Sequence, residues 1–332
     1  MNKIECPYCH GGITVSLHEV TLGSQNRSMY SCKKCEGCWL PDPFNPAQIQ
    51  AHYENCYFSG SEREIYKGKV LARDYLKKVE KICFIEKGAR ILEIGAGFGF
   101  FANYISIKHS TPVDILEPNE ASKQFINIKH PNVKVIGSTL NDLPNENKYD
   151  YIFCFHVLEH LTDIKKFLKQ VSNHLSESGK VFCLTPNSLS KSFKRYGTQW
   201  GWIGLDQHYS FISEDVPNTF FHDAGLNVEV KRSFVPAPLH FPSVWRIKAS
   251  EIYSRHISIR STPLKSNSIF YKVCRKIVHV PNFLIGKIAK YLEPFLAADS
   301  KGAKLLYLEA FFAEMTPSKQ RDELCLVLSI KK

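Results

Sequence analysis

Four cysteines in two pairs open the chain, Cys6 with Cys9 and Cys32 with Cys35. Two thiolates separated by two residues can turn toward one ion, and Gly11 and Gly37 relieve the turn after each pair. Four sulfur ligands complete a tetrahedral zinc site and leave no position for water, so this Zn2+ is expected to be structural. His10 and Cys38 are the alternative ligands nearby. Other cysteines, such as Cys154, Cys183 and Cys325, stand singly in apolar runs, where a reduced thiol behaves as a small hydrophobe.

A second set begins at Glu93-Ile94-Gly95-Ala96-Gly97-Phe98-Gly99. Glycines let a backbone turn tightly and admit a ligand against it. Phe100 stands where a dinucleotide fingerprint has its third glycine, and Glu93 would repel a phosphate. The loop therefore suits a ligand with a cationic amino-acid end. Glu117 closes the next apolar run, where an acid can accept both hydroxyls of a ribose.

The third set is His156, Glu159 and His160, which share one face of a helical turn at i, i+3 and i+4. Further along, His208 follows Trp200 and Trp202 and precedes Tyr209. A neutral imidazole near pH 7 suits a general base, and the aromatics can offer flat surfaces to sugar rings.

Such groups need a scaffold to hold them. The apolar runs Ile91–Ile94, Val113–Leu116, Val133–Ile136, Tyr151–Phe155 and Val181–Leu184 are each followed by a helix-like or turn segment. Five runs at crossover spacing predict an α/β fold with a parallel, doubly wound sheet. Candidates at Val228–Val230 and Leu324–Ile330 bring the sheet to seven strands. The expected organisation is a zinc module over 1–46, a helical linker or lid over 47–84, the α/β domain over 85–232 with 323–332, and a basic, mainly helical insertion over 233–322.

Taken together, Glu-Ile-Gly-x-Gly-x-Gly at Glu93, Tyr149-Asp150-Tyr151-Ile152, His156-Val157-Leu158-Glu159-His160-Leu161 and Thr185-Pro186-Asn187 resemble the class I S-adenosylmethionine-dependent methyltransferases. The resemblance covers residues 85–232 and implies a Rossmann-like fold binding S-adenosyl-L-methionine. It implies that Gly95 and Gly97 approach the methionine moiety, that Glu93 orders its amino end, and that Glu117 holds the ribose. Thr139 and Leu140 would border the adenine, with Ala96, Gly99, Pro118 and Phe155 completing the surroundings. His208 matches the family's histidine-bearing segment over the acceptor pocket, which makes it the candidate base. In related methyltransferases a Glu-x-x-Glu-His at the position of His156, Glu159 and His160 holds a divalent cation such as Mg2+; here His156 replaces the first glutamate.

The N-terminal stretch Cys35-Glu36-Gly37-Cys38-Trp39-Leu40-Pro41 resembles the zinc-ribbon module of bacterial methyltransferases in surface-glycan and sugar-containing natural-product pathways. That resemblance points to O-methylation of a nucleotide-linked or lipid-linked sugar. The alternatives are C- or N-methylation of a small metabolite, and methylation of RNA through the ribbon. The ribbon's own basic residues, Lys3, Arg27, Lys33 and Lys34, are too few to track a nucleic-acid backbone.

The chain has 332 residues, 44% hydrophobic and 23% charged, enough for one large core and a smaller module. No signal peptide or spanning segment is legible, which points to the cytoplasm. The net charge of +11 concentrates between His240 and Leu292, where Glu251 is the lone acid. There Phe270, Val273, Ile277 and Val278, then Phe283, Leu284, Ile288, Leu292 and Phe295, fall at helical intervals on either side of Pro281. Two such basic, amphipathic helices would suit either their own domain or the inner face of an anionic membrane.

Overall fold

The computed structural model describes residues 5–11, 15–22, 25–41, 62–197, 200, 202–203, 207–234 and 323–331. Of the basic insertion expected over 233–322, Ser233 and Phe234 belong to β10 and the rest lies outside the described residues, as does the reading of its amphipathic helices.

Seven strands form the main sheet: β4 (Ile91–Ile94), β5 (Val113–Leu116), β6 (Val133–Gly137), β7 (Tyr149–Phe155), β8 (Leu175–Pro186), β10 (Leu226–Phe234) and β11 (Glu323–Ile330). Their order is β10-β11-β8-β7-β4-β5-β6. The five strands from β6 to β8 are parallel, as expected from their near-continuous apolar runs. β11 departs from that pattern by inserting antiparallel between β8 and β10. The segment after β10 is thus an insertion in sequence, yet the strands flanking it pair directly, with Phe234 opposite Glu323.

Successive side chains along each strand point to opposite faces, so the sheet has two cores. Leu92, Ile152, Cys154, Val181, Cys183, Leu324 and Leu326 pack on one face. Ile91, Tyr151, Phe153, Phe182, Leu184, Cys325 and Val327 pack on the other. The second face is covered by α1 (Glu62–Glu80), α2 (Phe100–His109) and α3 (Glu120–Lys129). On α1, Ile65, Ala72, Tyr75, Leu76 and Val79 make the stripe that meets this core. The first face takes α4 (Ile164–Asn173), started by Asp163 accepting from the Lys166 amide, and α6 (Asn218–His222).

A smaller sheet holds β1 (Val15–Leu22), β2 (Gln25–Cys32), β3 (Cys38–Trp39) and β9 (Ser210–Phe211), in that order. Its fourth strand therefore comes from the α/β domain. Cys6, Tyr8, Cys32, Cys35 and Trp39 bury themselves in the first core of the main sheet. Met29, Cys38 and Leu40 share a third cluster with Trp200, Tyr209, Phe211 and Phe193, which lies on α5 (Lys191–Tyr196). Among the described residues, the buried side chains of the cysteine-bearing module share their clusters with the domain it covers. Among the described residues, no helix is long and apolar enough to cross a membrane.

Candidate active site

The turn leaving β4 carries three left-handed glycines, Gly95 (φ 70°), Gly97 (φ 54°) and Gly99 (φ 66°). A Cβ on Gly95 would lie 2.7 Å from Val157 Cγ2, whereas one on Gly97 would meet nothing within 4 Å. The first glycine lets the turn press against the loop after β7, and the second leaves an open cradle. Glu93 reaches beneath the turn and accepts from the Ala102 amide at 2.9 Å. Glu117 accepts from Gly97 N at 2.7 Å and Asn119 N at 2.9 Å. Burial raises Glu93 to about 8 and Glu117 to about 7. Two buried carboxyls beside an open glycine cradle fit a cationic, ribose-bearing ligand and disfavour a phosphate.

The neighbouring positions take different environments. Ala96 and Pro118 are half-buried at the rim, and Gly99 is buried as it starts α2. Thr139 and Asp142 form a capping box that fixes the exposed Thr139 and buried Leu140 at the end of β6. Phe155 turns away into the second core, its ring 4.8 Å from Tyr75 and 4.7 Å from Phe101.

Beyond β7, His156 adopts φ 55°, a left-handed conformation costly for a side-chain-bearing residue. Its imidazole is held from both ends. Nδ1 lies 3.0 Å from Glu159 Oε1 and Nε2 lies 3.1 Å from Glu323 Oε1. Thr185 donates to the other Glu159 oxygen at 3.0 Å. Lys78 donates to the other Glu323 oxygen and lies 2.6 Å from Asp74 Oδ2. Burial works against charge on His156, but the two carboxylates outweigh it and raise the ring to about 9. Burial likewise opposes ionisation of Glu159 and Glu323, yet their cationic partners hold both down to about 2. His156 is thus an imidazolium at neutral pH, stacked 4.9 Å from the Trp202 ring at an interplanar angle of 3°.

His160 and His208 pair beside Glu159, their rings edge to face at 4.6 Å. His160 Nδ1 is 3.0 Å from the Gln207 carbonyl and His208 Nδ1 is 2.6 Å from the Trp202 carbonyl. A carbonyl only accepts, so Nδ1 carries the proton in each ring, and a neutral ring then has its lone pair on Nε2. Burial lowers His160 to about 4, so it stays neutral at pH 7. Ligand atoms of Glu159, His160 and His208 all lie within 4.8 Å of one another. The side chains placed together are thus Glu159, His160 and His208, with His156 engaged by the two carboxylates. Of the aromatics expected to meet a sugar, Trp200 and Tyr209 are buried core residues, and Trp202 is half-buried against His156.

At the opposite end of the chain, the sulfurs of Cys6, Cys9, Cys32 and Cys35 also lie within 4.8 Å of one another. The Cys6–Cys35 and Cys9–Cys32 separations are both 3.6 Å. Sulfurs on one tetrahedral zinc with bonds of about 2.3 Å stand roughly 3.8 Å apart, so the donor set fits that ion. The two alternatives are engaged elsewhere: Cys38 Sγ approaches the Glu36 carbonyl, and His10 bonds Glu5.

Lys78 and Glu323 escaped the reading of motifs. Glu323 had one signal, an acid at the head of the apolar run Leu324-Cys325-Leu326-Val327-Leu328. Lys78 had a fainter one, a lysine four residues after Asp74 on the apolar side of a helix.

Residues 66–230 match the protein family described as Methyltransferase domain. A ubiquinone biosynthesis O-methyltransferase of Rickettsia felis is 26% identical over 106 residues, which is 31% of this chain and 43% of that protein. A protein of the same name from Rickettsia canadensis is 24% identical over 156 residues, 44% of this chain and 65% of that protein. The chain spans less than two thirds of the length of these curated relatives. A solved structure of Haemonchus contortus phosphoethanolamine N-methyltransferase 2 with S-adenosyl-L-methionine covers 95% of this chain and 71% of its own, at 14% identity and a TM-score of 0.49. The sheet order and the glycine turn give residues 66–230 the fold of a class I S-adenosylmethionine-dependent methyltransferase, in agreement with their match to the methyltransferase-domain family.

Proposed function

We propose that this protein methylates a hydroxyl oxygen of a small sugar or glycan intermediate, with His208 taking the acceptor's proton. The observation that carries the reading is the 2.6 Å contact between His208 Nδ1 and the Trp202 carbonyl, which leaves Nε2 as the basic nitrogen. S-adenosylmethionine, when bound, supplies a methyl group already activated on a sulfonium. Glu93 and the turn at Gly95 and Gly97 would hold its amino-acid end, and Glu117 its ribose. Thr139 and Leu140 would flank the adenine.

The chain's remaining tasks are to orient the acceptor and to remove a proton. Val157 packs at Gly95, so the turn bearing Glu159 and His160 abuts the cradle directly. His156 is unsuited to the base role because both its nitrogens are committed to carboxylates. It serves instead to fix the turn and the face of Trp202. Transfer to oxygen, rather than to nitrogen or carbon, draws support from the O-methyltransferase names of the curated relatives. The sugar draws support from the N-terminal sequence, and a phosphate-bearing or lipid-linked form of it would suit the basic stretch between His240 and Leu292.

The clustering of Glu159, His160 and His208 favours a second reading, in which these three hold a divalent cation that orients the acceptor oxygen. Turnover of candidate sugar nucleotides separates the two. His208→Ala should lower kcat by about 10²–10⁴-fold with cofactor affinity retained. Turnover that requires added Mg2+ or Mn2+ selects the cation reading, and unchanged turnover in His208→Ala removes both.

A further inference from the structure

β9 belongs to the methyltransferase domain by sequence and to the cysteine-bearing sheet by pairing. Cys38 lies opposite Phe211 and Trp39 opposite Ser210, and the Leu40 amide donates to the Tyr209 carbonyl at 2.9 Å. The knuckle at Cys35 is gripped by the domain as well. Ser213 Oγ donates to the Cys35 carbonyl, and Ser188, whose amide donates to the Ile212 carbonyl at 3.2 Å, donates through Oγ to the Glu36 carbonyl at 2.7 Å. Tyr8, between the first two cysteines, places its hydroxyl 3.0 Å from the Cys38 carbonyl and its ring 5.6 Å from Phe220.

The same segment of the domain is tied on its other side to the turn after β7. Tyr209 N donates to the Glu159 carbonyl at 2.7 Å, and Ser210 Oγ donates to the Leu161 carbonyl at 2.7 Å. His160 donates to the Gln207 carbonyl. Residues 207–213 are therefore a strap held between a C-x-x-C knuckle and the active-site turn, with His208 near its start. A two-residue strand cannot hold its own position; the rigidity must come from what it pairs with. Four thiolates held on one zinc would fix the knuckle's backbone and so give the strap a rigid partner.

We propose that the four-cysteine module is the positioning support of the acceptor site, and that Ser188 and Ser213 couple the metal-bound knuckle to the strap carrying His208. This rests on the reading of His208 as the acceptor's base. It makes the module part of the catalytic geometry rather than a separate recognition domain.

The test uses the full chain with its zinc, comparing the wild type with a Ser188→Ala/Ser213→Ala double variant that keeps all four cysteines. Expected are unchanged zinc content and cofactor affinity, amide exchange at Tyr209 and Phe211 faster by on the order of tenfold, and a comparable fall in kcat. Nitrogen NMR of the His208 ring should show the Nδ1-protonated tautomer losing its dominance. Wild-type protein stripped by a chelator should loosen over residues 207–213 while β4 stays protected, which covers the case of a variant that folds poorly. Undisturbed exchange at the strap in both arms overturns the proposal. So does loss of cofactor binding on stripping, because the module would then support the whole domain. Full turnover in His208→Ala together with a loosened strap would instead refute the base assignment and leave the coupling standing.

Discussion

Glu323 Oε1 lies 3.1 Å from His156 Nε2, although 167 positions separate the two residues. Glu323 is the first residue of β11, and it receives Lys78 from α1 on its other oxygen. One carboxylate thus joins α1, β11 and the turn beside the cofactor cradle. Removing one partner from such a buried group leaves an uncompensated charge, at a cost of about 3–5 kcal/mol.

Glu323→Gln should therefore lower thermal stability markedly and change the titration of His156. In the wild type both ring nitrogens should remain protonated at pH 7.5 and titrate near 9. His156 is raised above its unfolded value, so its contribution to stability is complete below about 6.5 and is lost as pH rises through about 9. In Glu323→Gln that titration should move down, and the stability difference from wild type should shrink across the same window. A ring that still titrates near 9 in the variant would show that Glu159 alone sets its charge.

Cofactor binding should release protons. Burial raises Glu93 to about 8 and Glu117 to about 7, so both are largely protonated near pH 6. A ligand carrying an ammonium and a sulfonium favours the ionised carboxylates, and affinity should climb from pH 6 to 8 and then level. Calorimetry in two buffers of different ionisation enthalpy measures the release. Affinity that is flat across this range would mean that neither carboxyl changes its charge on binding.

The glycines of the turn should respond unequally. Gly95→Ala combines a left-handed backbone, costing roughly 1–2 kcal/mol, with a contact to Val157, and should weaken both folding and binding. Gly97→Ala carries the backbone cost without a clash in the protein, so its larger effect should fall on the ligand that occupies the open cradle. Gly95→Arg should abolish binding. Melting curves and calorimetry on the same preparations separate the two kinds of loss.

Purified protein should carry close to one zinc per chain, and Cys32→Ser or Cys35→Ser should lose it. Both sulfurs are buried in a core shared with the main sheet, so the damage should extend to solubility and to the packing around Tyr8 and Trp39. Elemental analysis finding no zinc in protein prepared without chelator would contradict this.

The sheet, the glycine turn and the two C-x-x-C pairs were legible in the sequence because each is a local pattern. A buried parallel strand such as Ile91–Ile94 must be apolar throughout, a tight left-handed turn calls for glycine, and a knuckle needs its cysteines two apart. The antiparallel seat of β11 and the ionic chain from Asp74 to Thr185 were not legible. Their partners come from segments far apart in sequence, and no period or spacing records which side chain meets which across a sheet. The same holds for β9. From sequence, Ser210 and Phe211 are two residues after a histidine; only the folded chain reveals them as the fourth strand of the cysteine-bearing sheet. The chemical character of the site was thus carried by residue types at short range. The tertiary structure decided their charge and partners, making His156 an imidazolium and turning His208 Nδ1 to the Trp202 carbonyl, because burial and hydrogen bonding depend on neighbours that only folding supplies.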